Sequence, residues 1–119
     1  MARVDLFRND SNARTIAAGE QLFALGDAGE HAYVVTEGAI ELELHGRILE
    51  TVEPGGIFGE MALIDKRERS TTARAKSDSK VVPIDQRRFL YLVHNTPFFA
   101  IEVMEVMASR LRRMNEALQ

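Results

Sequence analysis

The chain has 119 residues, of which 45% are hydrophobic and 28% charged, as in a globular domain that buries its own core. It contains no cysteine, which excludes disulfide bonds, thiolate zinc sites and iron–sulfur clusters. The net charge of −3 argues against nucleic-acid binding. No apolar run reaches the roughly 18 residues of a membrane span, and the N-terminus lacks the apolar core of a signal peptide. We therefore expect one cytoplasmic domain over residues 1–119, without nucleic-acid or membrane partners.

The first part of the chain predicts a short lead-in followed by strands. Residues 1–14 are mostly polar, and their large apolar side chains are Val4, Leu6 and Phe7. This stretch is either a short helix that packs Leu6 and Phe7 on the core or a frayed lead-in. Short strands are then predicted at residues 15–17 and 21–24, before a glycine-containing turn at residues 26–30.

The centre of the chain has the alternation typical of a half-buried sheet. Strands are predicted at residues 31–36, 39–45 and 48–52, with His45 and Gly46 as the turn between the last two. Within the second strand, apolar and polar residues alternate with a period of two from Ile40 to His45. Several short strands separated by glycine turns indicate an all-β barrel or sandwich rather than a parallel sheet.

The last third of the chain predicts two strands and two helices. Residues 71–76 alternate, and residues 81–84 form the last strand, which Pro83 should confine to an edge or a bulge. Asp85 is a suitable cap for a helix at residues 86–94, and Thr96 followed by Pro97 begins another. The final helix has apolar residues at steps of three and four, as in a coiled coil: Met104, Met107, Leu111, Met114 and Leu118. We expect Met104 and Met107 to pack on the barrel, whereas the outer residues leave both packing and homodimer formation open.

Residues 54–73, PGGIFGEMALIDKRERSTTA, have the composition of a ligand-binding loop. Gly55, Gly56 and Gly59 allow tight turns and close backbone approach to a ligand. The EMALI segment can form one helical turn whose first amides lack partners and could receive an anion. Arg69 offers a planar fork suited to phosphate, Ser70 adds a hydroxyl, and Glu60 can accept hydrogen bonds from sugar hydroxyls. A sugar phosphate satisfies all of these groups.

This stretch resembles the phosphate-binding cassette of cyclic nucleotide-binding domains, in which Phe-Gly-Glu, an aliphatic residue and Ala-Leu precede Arg by a short gap. FGEMALI and RST match that pattern in order and spacing. The resemblance implies a mainly β fold with flanking helices: an eight-stranded jelly-roll barrel at residues 15–84 and a C-terminal helix pair at residues 85–119. It also implies that Glu60 binds the ribose 2′-hydroxyl, and that Arg69 and Ser70 bind the cyclic phosphate.

The resemblance further predicts the whole ligand site and its lid. The expected ligand-binding residues are Phe58, Gly59, Glu60, Met61, Ala62, Arg69, Ser70 and Thr71, with amides near Gly59 and Ala62 around the phosphate. The expected lid over the base consists of Arg110, Met114 and Asn115. For Arg110 and Arg113, a solvated basic face is an equal alternative.

The function implied is that of a small regulatory sensor without enzymatic activity, cofactor or metal. Its ligand is a cyclic nucleotide, with cAMP favoured over cGMP, and a hinge near residues 90–97 couples the ligand to movement of the last helix. An effector protein that we do not identify receives the signal. The helix-turn-helix domain that follows in transcription factors of the family is not expected here.

The sequence is compatible with three other interpretations. In the first, Glu60 and Arg69 form only a surface ion pair and Gly59 serves a turn. In the second, the same barrel is a metal-dependent enzyme, but His31, His45 and His94 lack the clustering that such a site needs. In the third, the domain is degenerate and acts only as an interaction surface. Glu68, where many relatives carry proline, and Thr71, where alanine is common, favour the third.

Overall fold

Eight short antiparallel strands and three helices make up the computed structural model, which describes residue 7 and residues 9–117. In chain order these are β1 (Arg14–Ile16), β2 (Gln21–Phe23), β3 (Ala32–Glu37), β4 (Ile40–Leu44), β5 (Arg47–Val52), β6 (Ile57–Phe58), α1 (Glu60–Asp65), β7 (Thr72–Ala75), β8 (Ser79–Ile84), α2 (Gln86–Asn95) and α3 (Pro97–Ala117). Most predicted elements are confirmed to within one or two residues. The two-residue strand β6 was not predicted from the sequence. Among residues 9–117, no helix is long and apolar enough to cross a bilayer.

The strands form two four-stranded sheets, ordered β1-β8-β3-β6 and β2-β7-β4-β5. The inner faces of both sheets contribute to one apolar cluster, which includes Val35 and Val81 of the first sheet and Ile40 and Leu42 of the second. In β4 the predicted alternation is confirmed, because Ile40, Leu42 and Leu44 are buried while the residues between them are half-exposed. The predicted eight-stranded jelly-roll barrel with C-terminal helices is therefore confirmed.

A second apolar cluster fixes the helices against the outer face of the first sheet. It contains Val34 and Val82 from the sheet together with Leu92 of α2, and Phe99 and Val103 of α3. Phe7 also belongs to this cluster, as expected from the first of the two alternatives for the lead-in. Val4 and Leu6 lie outside the described residues.

The side of α3 that packs on the barrel differs from the predicted one. Phe99 and Val103 are buried and Met107 packs against their cluster, but Met104 is 59% exposed. The expectation that Met104 packs on the barrel was therefore wrong, because the buried stripe begins at Phe99. Leu111 is also exposed, and Leu118 lies outside the described residues.

The prediction for Pro83 was also partly wrong. Strand β8 is not at an edge, since it pairs with β3 on one side and β1 on the other. The pairing with β1 ends at Val81, however, and Pro83 faces Tyr33 of β3 beyond that end. The missing amide of proline is tolerated there because only one neighbouring strand is paired with that part of β8.

Gly38, between β3 and β4, is held in a position that only glycine fits. Its φ is +81°, and a Cβ would lie 2.5 Å from the Asp78 carbonyl oxygen and 2.7 Å from Ser79 Cα. Ser79 is buried there, accepts a hydrogen bond from the Ala39 amide at 3.0 Å and donates to the Ser77 carbonyl at 2.7 Å. Gly46 has a similar φ of +79° in the β4–β5 hairpin, but a Cβ there meets nothing within 4 Å.

Alanine substitutions at these two glycines therefore distinguish the cost of backbone strain from the cost of a steric clash. We expect Gly46→Ala to lower the free energy of unfolding by about 1–2 kcal/mol, the typical penalty of a left-handed residue with a Cβ. Gly38→Ala should cost at least about 3 kcal/mol, because backbone atoms must also shift. Urea unfolding of both variants measures the difference. Equal losses would show that the contact at Gly38 is relieved without cost.

Candidate functional site

The site begins where β6 ends and α1 starts. Gly59 has a φ of +78°, and a Cβ on it would lie 2.7 Å from Nη1 of Arg69. Glycine at this position therefore allows both the sharp turn and the close approach of the guanidinium. The turn places Glu60 as the first residue of α1, where its side chain is buried.

Arg69 is a buried cation, only 5% exposed. Its Nη1 donates to the Gly59 carbonyl at 3.0 Å and its Nη2 donates to the His31 carbonyl at 2.8 Å. The guanidinium carbon lies 4.1 Å from the centroid of the Phe23 ring. The buried Nε has no hydrogen-bond partner among the described residues. Burial lowers the pKa of Arg69 from its ordinary value, so an anion nearby would offset the desolvation of this cation.

Glu60 is the buried acceptor of the site, 2% exposed. Its Oε2 accepts a hydrogen bond from its neighbour, the Met61 amide, at 3.2 Å, and its Oε1 accepts one from Nη1 of Arg110. Burial raises the pKa of Glu60 above its ordinary value, although the positive charge of Arg110 opposes the shift. The two groups that the cassette predicts as ligand-binding are therefore both buried charges, and Glu60 already has a partner from α3.

Arg110 of α3 joins three parts of the barrel. It is 7% exposed, and besides Glu60 it donates to the Ile57 carbonyl through Nη2. Its Nε and Nη2 donate to the two carboxylate oxygens of Glu50 on β5, at 2.8 and 3.2 Å. Nη1 of Arg113 forms an ion pair with the same carboxylate at 2.9 Å, and the Arg113 side chain is half-exposed. The alternative of a solvated basic face is therefore wrong for Arg110.

These groups line one cleft between the second sheet, the cassette and α3. Only about 30 Å³ of it is accessible to water-sized molecules, far less than the roughly 300–1,000 Å³ of small-molecule pockets, so a nucleotide requires the walls of the cleft to move apart. Of the predicted residues, those lining it are Gly59, Glu60, Met61, Ala62, Arg69, Ser70, Thr71, Arg110 and Met114. The other lining residues are Phe23, Leu42, Leu49, Glu50 and Arg113.

Two predicted site residues do not line the cleft. Phe58 is fully buried, with its ring centroid 5.3 Å from that of Tyr33. It therefore supports the aromatic side chains beneath Arg69 instead of facing a ligand. Asn115 is exposed and lies outside the lining, because it follows Met114 on another face of α3.

The structure also bears on the alternatives left open by the sequence. The interpretation that Glu60 and Arg69 form a surface ion pair was wrong, since both residues are buried and Glu60 is paired with Arg110. Glu68 is exposed, and the hydrogen bonds of Arg69 go to main-chain carbonyls. In residues 9–117, no cluster of three histidine, aspartate or glutamate side chains could hold a metal ion.

Sequence reasoning missed the residues that approach the cassette from elsewhere in the chain. Phe23 and Glu50 come from β2 and β5, and no local motif marks them. Gly29 carried a weak signal as one of the glycines of the GDAGE turn. A Cβ on Gly29 would lie 2.5 Å from Nε of Arg69 and 2.8 Å from Cβ of Ala62, so its missing side chain makes room for the buried guanidinium.

Comparison with known proteins assigns this arrangement to a family. A sequence profile of the cyclic nucleotide-binding domain matches residues 13–96, which is most of the chain. The chain belongs to the cyclic nucleotide-binding domain family. The family predicted from the cassette is thereby confirmed, and the match includes both Glu60 and Arg69.

Individual members of the family are moderately similar to the chain. The Cyclic AMP receptor protein of Thermus thermophilus is 34% identical over 114 residues, which are 92% of this chain and 53% of that protein. The crystal structure of Thermus thermophilus Catabolite Activator Protein has a TM-score of 0.75 and 32% identity, over 89% of this chain and 52% of that one. The chain thus spans about half the length of these relatives.

An EAL enzyme solved with different nucleotides is also similar. Its cGMP-bound form is 32% identical with a TM-score of 0.65, and its cAMP-bound form is 31% identical with a TM-score of 0.66. These alignments cover 84% and 88% of this chain but 28% and 29% of the enzyme. The family to which the chain belongs binds cyclic nucleotides, and its domain has a regulatory role in such relatives.

The raised pKa of Glu60 predicts a pH dependence of folding. The folded protein holds this proton more tightly than the unfolded chain, whose pKa is near 4.5. The stabilisation from this group is therefore complete below pH 4.5 and is lost as pH rises through the folded pKa. We expect the free energy of unfolding of the wild type to fall with pH in that window, relative to Glu60→Gln.

Urea unfolding at closely spaced pH values, with the Glu60→Gln curve subtracted, isolates this group from the other carboxylates. A difference that instead rises with pH would mean that the ion pair with Arg110 outweighs desolvation.

Proposed function

We propose that this chain binds a cyclic nucleotide in the cleft between the cassette and α3, with cAMP bound more tightly than cGMP. The observation that carries the proposal is that a buried cation and a buried hydrogen-bond acceptor line the same cleft. Among the described residues, Arg69 is a buried cation that forms no ion pair and whose Nε has no hydrogen-bond partner, and Glu60 is a buried acceptor that lines the same cleft. A cyclic phosphate fused to a ribose presents an anion and a hydroxyl donor on one rigid ring system.

Different residues that line the cleft suit the phosphate, the ribose and the base of the ligand. The remaining donors of Arg69, with the hydroxyls of Ser70 and Thr71, suit the phosphate oxygens. Glu60 suits the 2′-hydroxyl. At the other end, Leu42 and Leu49 provide apolar surface and Met114 of α3 a flexible thioether, which suits a flat purine ring. Met114 is therefore the lid residue that we propose for the base.

The preference for cAMP rests on similarity rather than on a base-reading contact. The 34% identical relative is named for cAMP. The EAL enzyme was solved with either nucleotide, so membership in the family does not exclude cGMP. The proposed preference therefore means that both nucleotides can bind and that cAMP has the lower dissociation constant.

We propose that the ligand acts through α3, as in a regulatory sensor without catalytic activity. Arg110 attaches the outer half of α3 to Glu50, Glu60 and Ile57 at the cleft. The inner half packs on the sheet through Phe99 and Val103, so we propose movement of the outer half in place of the hinge predicted near residues 90–97. A ligand shifts α3 only by as much as its affinity differs between the two positions of the helix. An effector protein of unknown identity would read this change.

Substitution of Arg69 tests the binding site directly. We expect Arg69→Gln to weaken cAMP binding at least about 100-fold, because it removes a charge and several charge-assisted hydrogen bonds to phosphate. Arg69→Lys should weaken binding nearly as much, since a lysine cannot form the planar fork. Calorimetric titration with cAMP and cGMP measures both affinities, and 5′-AMP tests the requirement for the cyclic phosphate.

Arg67→Gln is the matched control, because Arg67 is exposed two residues away and lines no part of the cleft. It should bind like the wild type. Unfolding curves check that each variant is folded, and protein freed of bound nucleotide is required. Saturable binding that survives Arg69→Gln, or no binding by folded wild type, would contradict the proposal. The second result would favour the degenerate interaction module.

We also propose that two copies of the chain associate through α3. The predicted stripe included Met107 and Met114, which face the barrel and the cleft. The exposed face of α3 has its own spacing of three and four residues, formed by Ile101, Met104, Ala108, Leu111 and Asn115. This stripe of apolar residues with one alanine and one asparagine is compatible with a seam along which two helices, one from each copy, pack together.

Disruption of this seam should change the oligomeric state. Leu111→Glu places a charge in the seam, and we expect it to convert a dimer to a monomer in sedimentation experiments. Ile48→Glu is the control, since Ile48 is similarly exposed but lies on β5. A wild-type monomer at all accessible concentrations, or loss of the dimer in both variants, would contradict association through α3.

A further inference from the structure

The buried carboxylate that should receive the ligand is already occupied by another residue of the chain. Oε1 of Glu60 accepts a hydrogen bond from Nη1 of Arg110, and the Arg110 side chain lines the same cleft. The other carboxylate oxygen of Glu60 accepts from the Met61 amide. A sugar hydroxyl that binds Glu60 must therefore take the position of the Arg110 guanidinium or share the oxygen with it.

We propose that Arg110 is an internal competitor of the ligand and that Glu50 is the residue that receives it when the ligand binds. The inference rests on the proposed function, because it concerns the same cleft. Without ligand, Arg110 takes the place of the sugar hydroxyl and compensates the buried charge of Glu60. With ligand, Arg110 leaves Glu60 and stays attached to Glu50.

The geometry of Glu50 suits this transfer. Arg110 contacts it through two nitrogens, at 2.8 and 3.2 Å, whereas it contacts Glu60 through Nη1 alone. Two parallel hydrogen bonds between a guanidinium and a carboxylate persist when a third contact is lost. Arg113, on the next turn of α3, also forms an ion pair with Glu50, at 2.9 Å, and helps to hold this carboxylate in position. Displaced from Glu60, the guanidinium therefore keeps a counter-ion and need not move into water.

The transfer assigns opposite roles to two arginines of the same cleft. Arg69 attracts the phosphate, so its loss weakens binding. Arg110 blocks the acceptor for the sugar. The measured association constant is therefore the intrinsic one multiplied by the fraction of molecules in which Arg110 has left Glu60. A residue that merely covered the base, as a lid, would have the reverse effect, because its loss would remove a contact with the ligand. The sign of the change on removing Arg110 separates the two roles.

The test measures cAMP affinity by calorimetry in full-length chains that carry Arg110→Met, Glu50→Gln or both. We expect Arg110→Met to raise the affinity about tenfold, since a hydrogen bond between charged groups no longer competes. Glu50→Gln should instead lower it, because the displaced Arg110 then loses its remaining counter-ion and is held more firmly on Glu60. In the Arg110→Met background, Glu50→Gln should not change the cAMP affinity further, because Glu50 affects the ligand only through Arg110. Arg112→Met, exposed on α3, is the matched control and should bind like the wild type.

Each outcome decides between the alternatives. Tighter binding by Arg110→Met, with no added effect of Glu50→Gln, supports the competitor. Unchanged or weaker binding by Arg110→Met, while the wild type binds, overturns it and leaves the proposed function standing. No binding by the wild type or any variant overturns the proposed function and the competitor together. If Arg110→Met does not fold, Arg110→Gln replaces it, and unaltered or reduced affinity in Arg110→Gln also overturns the competitor.

Discussion

Compensation of buried charge is the constraint on which the rest of the site depends. A carboxylate and two guanidiniums are almost fully withdrawn from water in a domain of 119 residues. An isolated buried charge is strongly destabilising, and breaking a buried pair leaves its partner uncompensated. Glu60 and Arg110 compensate each other, whereas the described contacts of the Arg69 guanidinium are with main-chain carbonyl oxygens and aromatic rings. The unliganded cleft therefore carries an excess of positive charge at the cassette.

Two apolar clusters and a set of polar contacts hold different parts of the fold together. The barrel encloses one apolar cluster between its sheets, and this cluster supports the aromatic rings beneath Arg69. A second cluster outside the first sheet holds α2 and the first half of α3. The second half of α3 reaches the cleft mainly through polar contacts of Arg110 and Arg113. Polar contacts at a cleft can be exchanged for those of a ligand, whereas an apolar core cannot be exchanged without loss of stability.

Glycine has a particular use around the guanidinium of Arg69. Gly29 and Gly59 both approach this side chain so closely that a Cβ on either would lie within 2.8 Å of it. Gly59 in addition adopts a left-handed conformation, while Gly29 is required for space alone. The cassette thus depends on a glycine of the turn at residues 26–30, which lies outside the cassette itself.

The sequence alone determined the local features of this protein. The alternation in β4, the caps at Asp85 and Thr96 and the order of Gly59, Glu60 and Arg69 each depend on a few neighbouring residues, and together they were sufficient to predict the barrel and the family. Tertiary structure alone decided what meets the cassette. Arg110 lies 50 residues beyond Glu60, and several stripes of apolar residues can be drawn on α3. Packing of Phe99 and Val103 on the sheet selects one of them and points Arg110 into the cleft. Such contacts depend on how elements pack in three dimensions, and no periodicity within one helix encodes that choice.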